Sequence, residues 1–182
     1  VIVDITPSEE FSQLYQAFFE RSIHVISANK WAGSSETKQY NKLIKTAKKH
    51  ACLWLGNTTV GAGLPINYAI DDINKSGDSI VEIAGIFSGT LSWLFEKYTG
   101  EEAFSTLLAK ALAEGITEPD PRDDLSGRDV QRKLLILARA AGFELDLDDI
   151  HCNNLVPENL RDITLSEFLT RTTELDAFFA KT

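Results

Sequence analysis

An α/β fold built on a parallel sheet follows from three observations in the first 55 residues. VIVDI, IHVISA and CLWL are short, apolar, largely β-branched runs, the pattern of buried strands bounded by turns. Segments with helical periodicity separate them. The spacing is that of a βαβαβ unit, whose crossover helices force the strands to run parallel. Such sheets seat ligands beyond the carboxyl ends of their strands. Thr6 and Lys30 stand at those ends.

Taken in order, VIVDI is a strand, and Thr6-Pro7-Ser8-Glu9 reads as a capping box with proline at the first helical position. Leu14, Ala17, Phe18 and Arg21 carry that helix to about residue 21. IHVISA ends at Asn29-Lys30, where the lysine can contact an anion or a substrate or simply face water. A helix from about Ser35 to His50 has Tyr40, Leu43, Ile44 and Ala47 as its apolar stripe, and CLWL closes the unit. In NTTVGAGLPINYAI, Gly61 and Gly63 make a tight turn and Pro65 starts a helix. The dinucleotide fingerprint G-x-G-x-x-G is not met there. A turn of this kind can also aim several carbonyls at one point, which suits a hard cation.

Ser76-Gly77-Asp78 ends that helix, and SIVEIAGIF reads as a strand leading into Ser88-Gly89-Thr90 and the helix TLSWLFEKY. Ser88 is not in a nucleophile elbow. The amides of Gly89 and Thr90 can hold a phosphate or carboxylate, or Ser88 or Thr90 can do no more than cap the helix. Residues 101 to 115 form a helix closed by Gly115. DIHCNNLV reads as a strand, and Thr164-Leu165-Ser166-Glu167 as the capping box of the last helix. Tyr15, Trp54 and Trp93 are assigned to the core.

The densest chemistry lies in ITEPDPRDDLSGRDVQRK, residues 116 to 133. Glu118, Asp120, Asp123, Asp124 and Asp129 crowd a loop stiffened by Pro119 and Pro121. Asp124 or Ser126 can cap the helix that follows, and Ser126 with Asp129 has capping-box spacing. Counting 100° per residue, Val130, Leu134, Leu137 and Ala141 share one side of that helix, extended by Ile136 and Ala140. Lys133 falls inside the apolar arc, whereas Gln131, Arg132 and Arg139 point to water. Asp129 and Lys133 are four apart and share a face. A lysine on an apolar face among carboxylates can donate or accept a proton. The carboxylates can equally grip an amine or hydroxyl of a substrate.

The chain has 182 residues, is 43% hydrophobic and 25% charged, and carries a net charge of −9. Its basic residues are scattered apart from the short run at 45 to 50, so nucleic acid is excluded as a partner. No apolar run reaches membrane-spanning length, and no signal peptide opens the sequence. Cys52 and Cys152 are far apart, as expected for free thiols in the reducing cytoplasm. His24, His50 and His151 lack zinc-ligand spacing. The chain contains no methionine and opens in mid-strand, as expected for an excised piece of a longer protein.

VDIT, SANKWA, TVGAGLPI, GIFSGTLSWLF and TEPDPRDDLSGRDVQRKLLILAR together resemble homoserine dehydrogenase. The likeness is greatest to the dehydrogenase module of bifunctional aspartokinase/homoserine dehydrogenases of the methionine-pathway type. It covers almost the whole chain, and TEPDPRDDLSG is its most specific block. The resemblance implies the end of a Rossmann-like NADP-binding domain, residues 1–64. A mixed-sheet α+β catalytic and dimerisation domain would follow, residues 65–182, incomplete at its C-terminus. It also implies interconversion of aspartate 4-semialdehyde and homoserine with NADPH. Lys133 would be the proton donor, with Glu118, Asp124 and Asp129 holding the ammonium and hydroxyl and Thr90 seating substrate. Thr6, Lys30 and Gly89 would contact the cofactor, and Lys30 would be a second acid/base candidate. The carbonyls of Val60, Ala62 and Leu64 and the side chain of Asn57 would bind a sodium-like cation. Many members carry an acidic residue at the position of Asn57; asparagine supplies a neutral oxygen instead.

A homodimer and an aspartokinase domain in the parent chain are the implied partners, with no membrane. The glycine fingerprint of such a domain is not in this sequence, so the piece is expected to fold yet be inactive alone. Two rival readings stay open: a non-catalytic dimerisation or amino-acid-binding module, and a reductase of a different semialdehyde.

Overall fold

The computed structural model describes residues 1–180. They form two compact units, one of Val1–Phe87 with Gln131–His151, the other of Ser88–Val130 with the residues from Cys152 onward. In chain order the first elements are β1 (Ile2–Asp4), α1 (Glu9–Gln13), α2 (Tyr15–Glu20), β2 (Val25–Ser27), α3 (Thr37–Lys49), β3 (Trp54–Leu55) and α4 (Ile66–Lys75). Then come α5 (Gly89–Lys97), α6 (Phe104–Ala113), α7 (Pro121–Leu125), α8 (Arg128–Ala140), α9 (Glu158–Arg161), α10 (Leu165–Thr170) and α11 (Glu174–Phe179).

The sheet of the first unit is parallel in the order β1-β2-β3. Asp4 lies opposite Ser27, so the carboxyl ends of β1 and β2 open at one level. Tyr15, Phe19, Val25, Leu43, Ala47 and Cys52 form a buried cluster, in which Leu43 and Ala47 are the expected stripe of α3, four residues apart. A second cluster in this unit joins Val60, Ile70 and Leu137, with Ile66, Ile80, Ile83, Phe87 and Ile136 packed against it. The other unit is helical and has its own core. Leu94, Leu107, Leu108, Leu125, Leu160, Phe168 and Leu175 pack there around Phe104 and Phe179, whose rings stack with centroids 3.7 Å apart.

Three local expectations change. SIVEIAGIF and DIHCNNLV do not form strands; the only sheet among the described residues is the three-stranded one. A strand needs a ladder partner. Without one, apolar side chains of the first segment stay in water, Val81 95% and Ile86 80% exposed. The first helix is capped by Ser8, whose Oγ accepts from Phe11 N at 3.1 Å, rather than by Thr6. Thr6 is committed elsewhere, as described below. Finally, the acidic loop contains a helix of its own, α7, capped by Asp120, which accepts from Arg122 N at 3.0 Å. Gly127, at φ +71°, then separates α7 from α8. A Cβ there would come within 2.6 Å of Cys152 Sγ, so glycine is required twice over.

Candidate active site

At the carboxyl end of β1, Asp4 is 1% exposed and accepts four hydrogen bonds. Oδ1 takes Thr6 N and Thr6 Oγ1, each at 2.8 Å. Oδ2 takes the Tyr15 hydroxyl at 2.5 Å and Asn29 Nδ2 at 2.9 Å. Burial on its own would raise the carboxyl's pKa, but the bonds from Tyr15, Thr6 and Asn29 outweigh it and hold the group below its ordinary value. Burial and the Asp4 carboxylate push the Tyr15 hydroxyl well above a free phenol. Asn29 spends its second amide proton on Ser8 O at 2.8 Å, and its Oδ1 accepts from Trp31 N at 2.9 Å. Thr6 and the loop entered through Lys30 are thus held by one buried carboxylate. Thr6 itself is exposed and Lys30 half-buried.

The turn expected to take a cation is present. Gly61 and Ala62 both have positive φ, +77° and +50°, and a Cβ at position 61 would meet Ile66 Cδ1 at 2.3 Å. Leu64 N donates to Gly61 O, and Ile66 N to Leu64 O, both at 2.9 Å. Among the described residues no backbone hydrogen bond claims the carbonyl oxygens of Val60 or Ala62. Asn57 lines a neighbouring cavity of about 320 Å3 together with Gly56, Thr59 and Asn67. Asn67 Nδ2 donates to Gly56 O at 3.1 Å, and its buried Oδ1 has no hydrogen-bond partner among the described residues. Neutral oxygens of this kind fit a hard monovalent cation.

Lys133 is half-buried on α8, and its Nζ donates to Phe87 O at 2.7 Å. Asp129 stands one turn before it on the same helix. Arg132 stacks over Trp31 at 3.7 Å to the ring centroid, and Trp31 Nε1 donates to Pro7 O at 2.9 Å. Gln131 donates to Leu147 O and Ile150 O. Arg139, expected in water, is 8% exposed. Its guanidinium donates to Gly33 O at 3.0 Å, Leu145 O at 2.9 Å and Thr37 Oγ1 at 3.2 Å, pairs with Asp146 at 3.3 Å and lies over Tyr40. The sequence wheel failed there because it counts one buried face. Leu135, outside the expected arc and close to Arg139 around the helix, is also buried, so α8 is covered on a second side and Arg139 there must find acceptors. Burial holds Arg139 below the usual guanidinium value, against the pull of Asp146.

In the helical unit the acidic loop divides into structural and open carboxylates. Asp120 and Arg122 form a pair with contacts of 2.6 to 3.1 Å, and Arg122 Nη1 also donates to Ile163 O at 2.6 Å. The guanidinium holds the Asp120 carboxyl below its ordinary value. Asp124 Oδ2 accepts Glu118 N at 2.8 Å and closes the loop. The Glu118 side chain is exposed, and Asp124 and Asp129 are partly so. Partial desolvation and the charges of Asp120 and Asp124 hold the Asp123 carboxyl above its ordinary value. Thr90 donates to Ile116 O at 2.9 Å, at the entrance to the loop, and Ser88 caps α5 ahead of the exposed Gly89.

Asp4, Tyr15, Asn29 and Arg139 were not singled out from the sequence as site residues. One signal was available for Asp4: a charge at the end of an otherwise apolar strand must find partners if it is buried.

The family model for homoserine dehydrogenase matches residues 65–181, and that for the NAD-binding domain of homoserine dehydrogenase matches residues 1–56. Bifunctional aspartokinase/homoserine dehydrogenase 2 of Escherichia coli K12 is 46% identical over 97% of this chain and 22% of that protein. The chloroplastic protein of the same description from Arabidopsis thaliana is 43% identical over 100% of this chain and 20% of its own length. The chain thus spans about a fifth of these relatives. Among solved structures, a Candida auris protein of unknown function is 38% identical with a TM-score of 0.89, covering 98% of this chain and 52% of that one. A hyperthermophilic archaeal homoserine dehydrogenase in complex with NADPH is 25% identical with a TM-score of 0.69, covering 76% of this chain and 42% of that one. With a family model spanning residues 65 to 181 and a second spanning residues 1 to 56, the chain belongs to the homoserine dehydrogenase family.

Proposed function

We propose that the intact protein interconverts aspartate 4-semialdehyde and homoserine with NADPH, in threonine and methionine biosynthesis. The observation that carries the reading is the block from Glu118 to Lys133, whole and inside the matched segment. Residues 1–64 would contribute to cofactor binding and residues 65–182 to catalysis and dimerisation.

The nicotinamide, when bound, supplies the hydride. Everything else falls to side chains. Hydride addition to an aldehyde leaves negative charge on its oxygen, and the Lys133 ammonium neutralises that charge and delivers the proton. The bond from Nζ to Phe87 O at 2.7 Å orients the ammonium. In the reverse direction the same nitrogen removes the hydroxyl proton. Glu118, Asp124 and Asp129 hold the substrate ammonium and hydroxyl through charge-assisted hydrogen bonds, and Thr90 seats the substrate. Thr6, Lys30 and Gly89 contact the cofactor, with Lys30 as second acid/base group. A sodium-like ion on the carbonyls of Val60, Ala62 and Leu64 and the Asn57 side chain would stiffen the turn into α4.

The parent chain would carry an aspartokinase domain, as the bifunctional relatives do, and would work as a homodimer in the cytoplasm. No helix among the described residues is long and apolar enough to cross a membrane. The test is an assay of the intact protein with homoserine and NADP. Formation of reduced cofactor, abolished by Lys133→Ala with the fold retained, is the expected result. Turnover unchanged in that variant, or absent in the wild type, would overturn the assignment.

A further inference from the structure

At the strand ends, one feature of Asp4 goes beyond holding the backbone. Its two oxygens accept two hydrogen bonds each, and the four donors come from Thr6, Tyr15 and Asn29. A carboxylate has about four lone-pair sites, so this one is saturated. Thr6 Oγ1 has a single proton and gives it to Asp4 Oδ1. Thr6 Oγ1 in turn accepts from Ser8 N at 3.3 Å. Toward anything beyond the strand, the exposed Thr6 hydroxyl can therefore only accept. Asn29 is equally committed, with both amide protons and its Oδ1 engaged, and it leads directly into Lys30.

We infer that Asp4, with Tyr15 and Asn29, is a positioning residue for the cofactor: it fixes Thr6 as a hydrogen-bond acceptor and sets the loop that carries Lys30. This rests on the proposed function for the identity of the ligand. The ligand group seated at Thr6 must then be an N–H or O–H donor, such as a carboxamide or a ribose hydroxyl. A phosphate or carboxylate oxygen is refused there, because no proton is left to offer it. Were Asp4 protonated, one of its four donors would lose its acceptor, so the arrangement requires the ionised form.

The test uses the intact protein, with NADPH dissociation constants from cofactor fluorescence and steady-state kinetics with aspartate 4-semialdehyde. Tyr15→Phe removes one donor and keeps the ring; Asp4→Asn replaces one acceptor oxygen with a donor. Both variants should weaken NADPH binding by about fivefold or more, the worth of one hydrogen bond. The Michaelis constant for the semialdehyde should move by less than about twofold, a split that general loosening of the fold would not produce. Thr6→Val added to Asp4→Asn should cost little further, because Asp4 acts through Thr6 and the effects are not additive. Unchanged NADPH affinity in Tyr15→Phe would overturn the inference, and so would full additivity of Asp4→Asn with Thr6→Val. Should Asp4→Asn not fold, Tyr15→Phe alone decides. NADPH binding without homoserine turnover in the wild type would sink the proposed reaction, while the dissociation constants would still decide the role of Asp4.

Discussion

Asp4 and Asp124 are both aspartates that accept a backbone N–H from a nearby residue, and there the likeness ends. Asp4 is 1% exposed, with all its acceptor capacity used by four donors. Asp124 is half-exposed; one oxygen takes Glu118 N, and Glu118, Asp123 and Asp129 crowd the same loop. The saturated carboxylate has nothing left for a ligand and acts by holding Thr6 and Asn29. In the acidic loop the Glu118 side chain is exposed, and partial desolvation together with the charges of Asp120 and Asp124 holds the Asp123 carboxyl above its ordinary value. Satisfaction of hydrogen bonds, as well as burial, distinguishes the two carboxylates. The same contrast holds between two cations of α8. Arg139 is enclosed and spends its donors on Gly33, Thr37, Leu145 and Asp146. Lys133 is half-buried, and its Nζ donates to Phe87 O at 2.7 Å.

The sharpest way to break this contrast is Lys133→Ala in the intact protein. Turnover should fall by at least about 10²-fold, the contribution of a general acid, while the melting temperature moves little. Near-normal turnover would put Lys133 among the structural cations. Arg139→Ala should behave the opposite way in a urea titration. Leaving Gly33 O and Leu145 O unpaired in a buried site should destabilise the fold by about 2–3 kcal/mol. A loss under about 0.5 kcal/mol, typical of an exposed charge, would show that the enclosure of Arg139 carries no energy.

Asp124→Asn sharpens the comparison of the two aspartates. The amide oxygen can still accept Glu118 N, so stability should hold. The lost charge should raise the Michaelis constant for homoserine by about tenfold. An unchanged Michaelis constant and rate would count against a binding role.

The smallest effect concerns acid. The carboxyl of Asp4 lies below its ordinary value of 3.8 in the folded state. Its contribution to stability is therefore complete above that value and is lost as pH falls through the lower, folded one. Urea midpoints taken from neutral pH downward should be level until about pH 4 and then decline. Asp4→Asn should start lower and decline less steeply. A decline of equal slope in both proteins would assign the acid sensitivity to other carboxylates.

Much of this was legible in the order of residues. The apolar runs VIVDI, IHVISA and CLWL and the helices between them led to a parallel sheet, because backbone hydrogen bonding leaves few ways to bury such runs. The stripe of α3, the Gly61 turn, the cap of α5 by Ser88 and the acidic block before Lys133 follow from local periodicity and turn chemistry, which act over a few residues. What needed the tertiary structure was every decision about partners. Asp4 reads as one charge in a strand until Tyr15 and Asn29, 11 and 25 residues on, arrive at its oxygens. Arg139 reads as a solvated cation until Gly33, more than a hundred residues earlier, supplies a carbonyl. SIVEIAGIF has the composition of a strand and, among the described residues, no neighbour to pair with. Composition and spacing determine what a segment can form and which groups need partners. Whether a polar group is buried, and whether it is fully satisfied, is settled only when distant segments meet, because the free energy of a buried charge depends on all the donors around it and sequence neighbours supply only some of them.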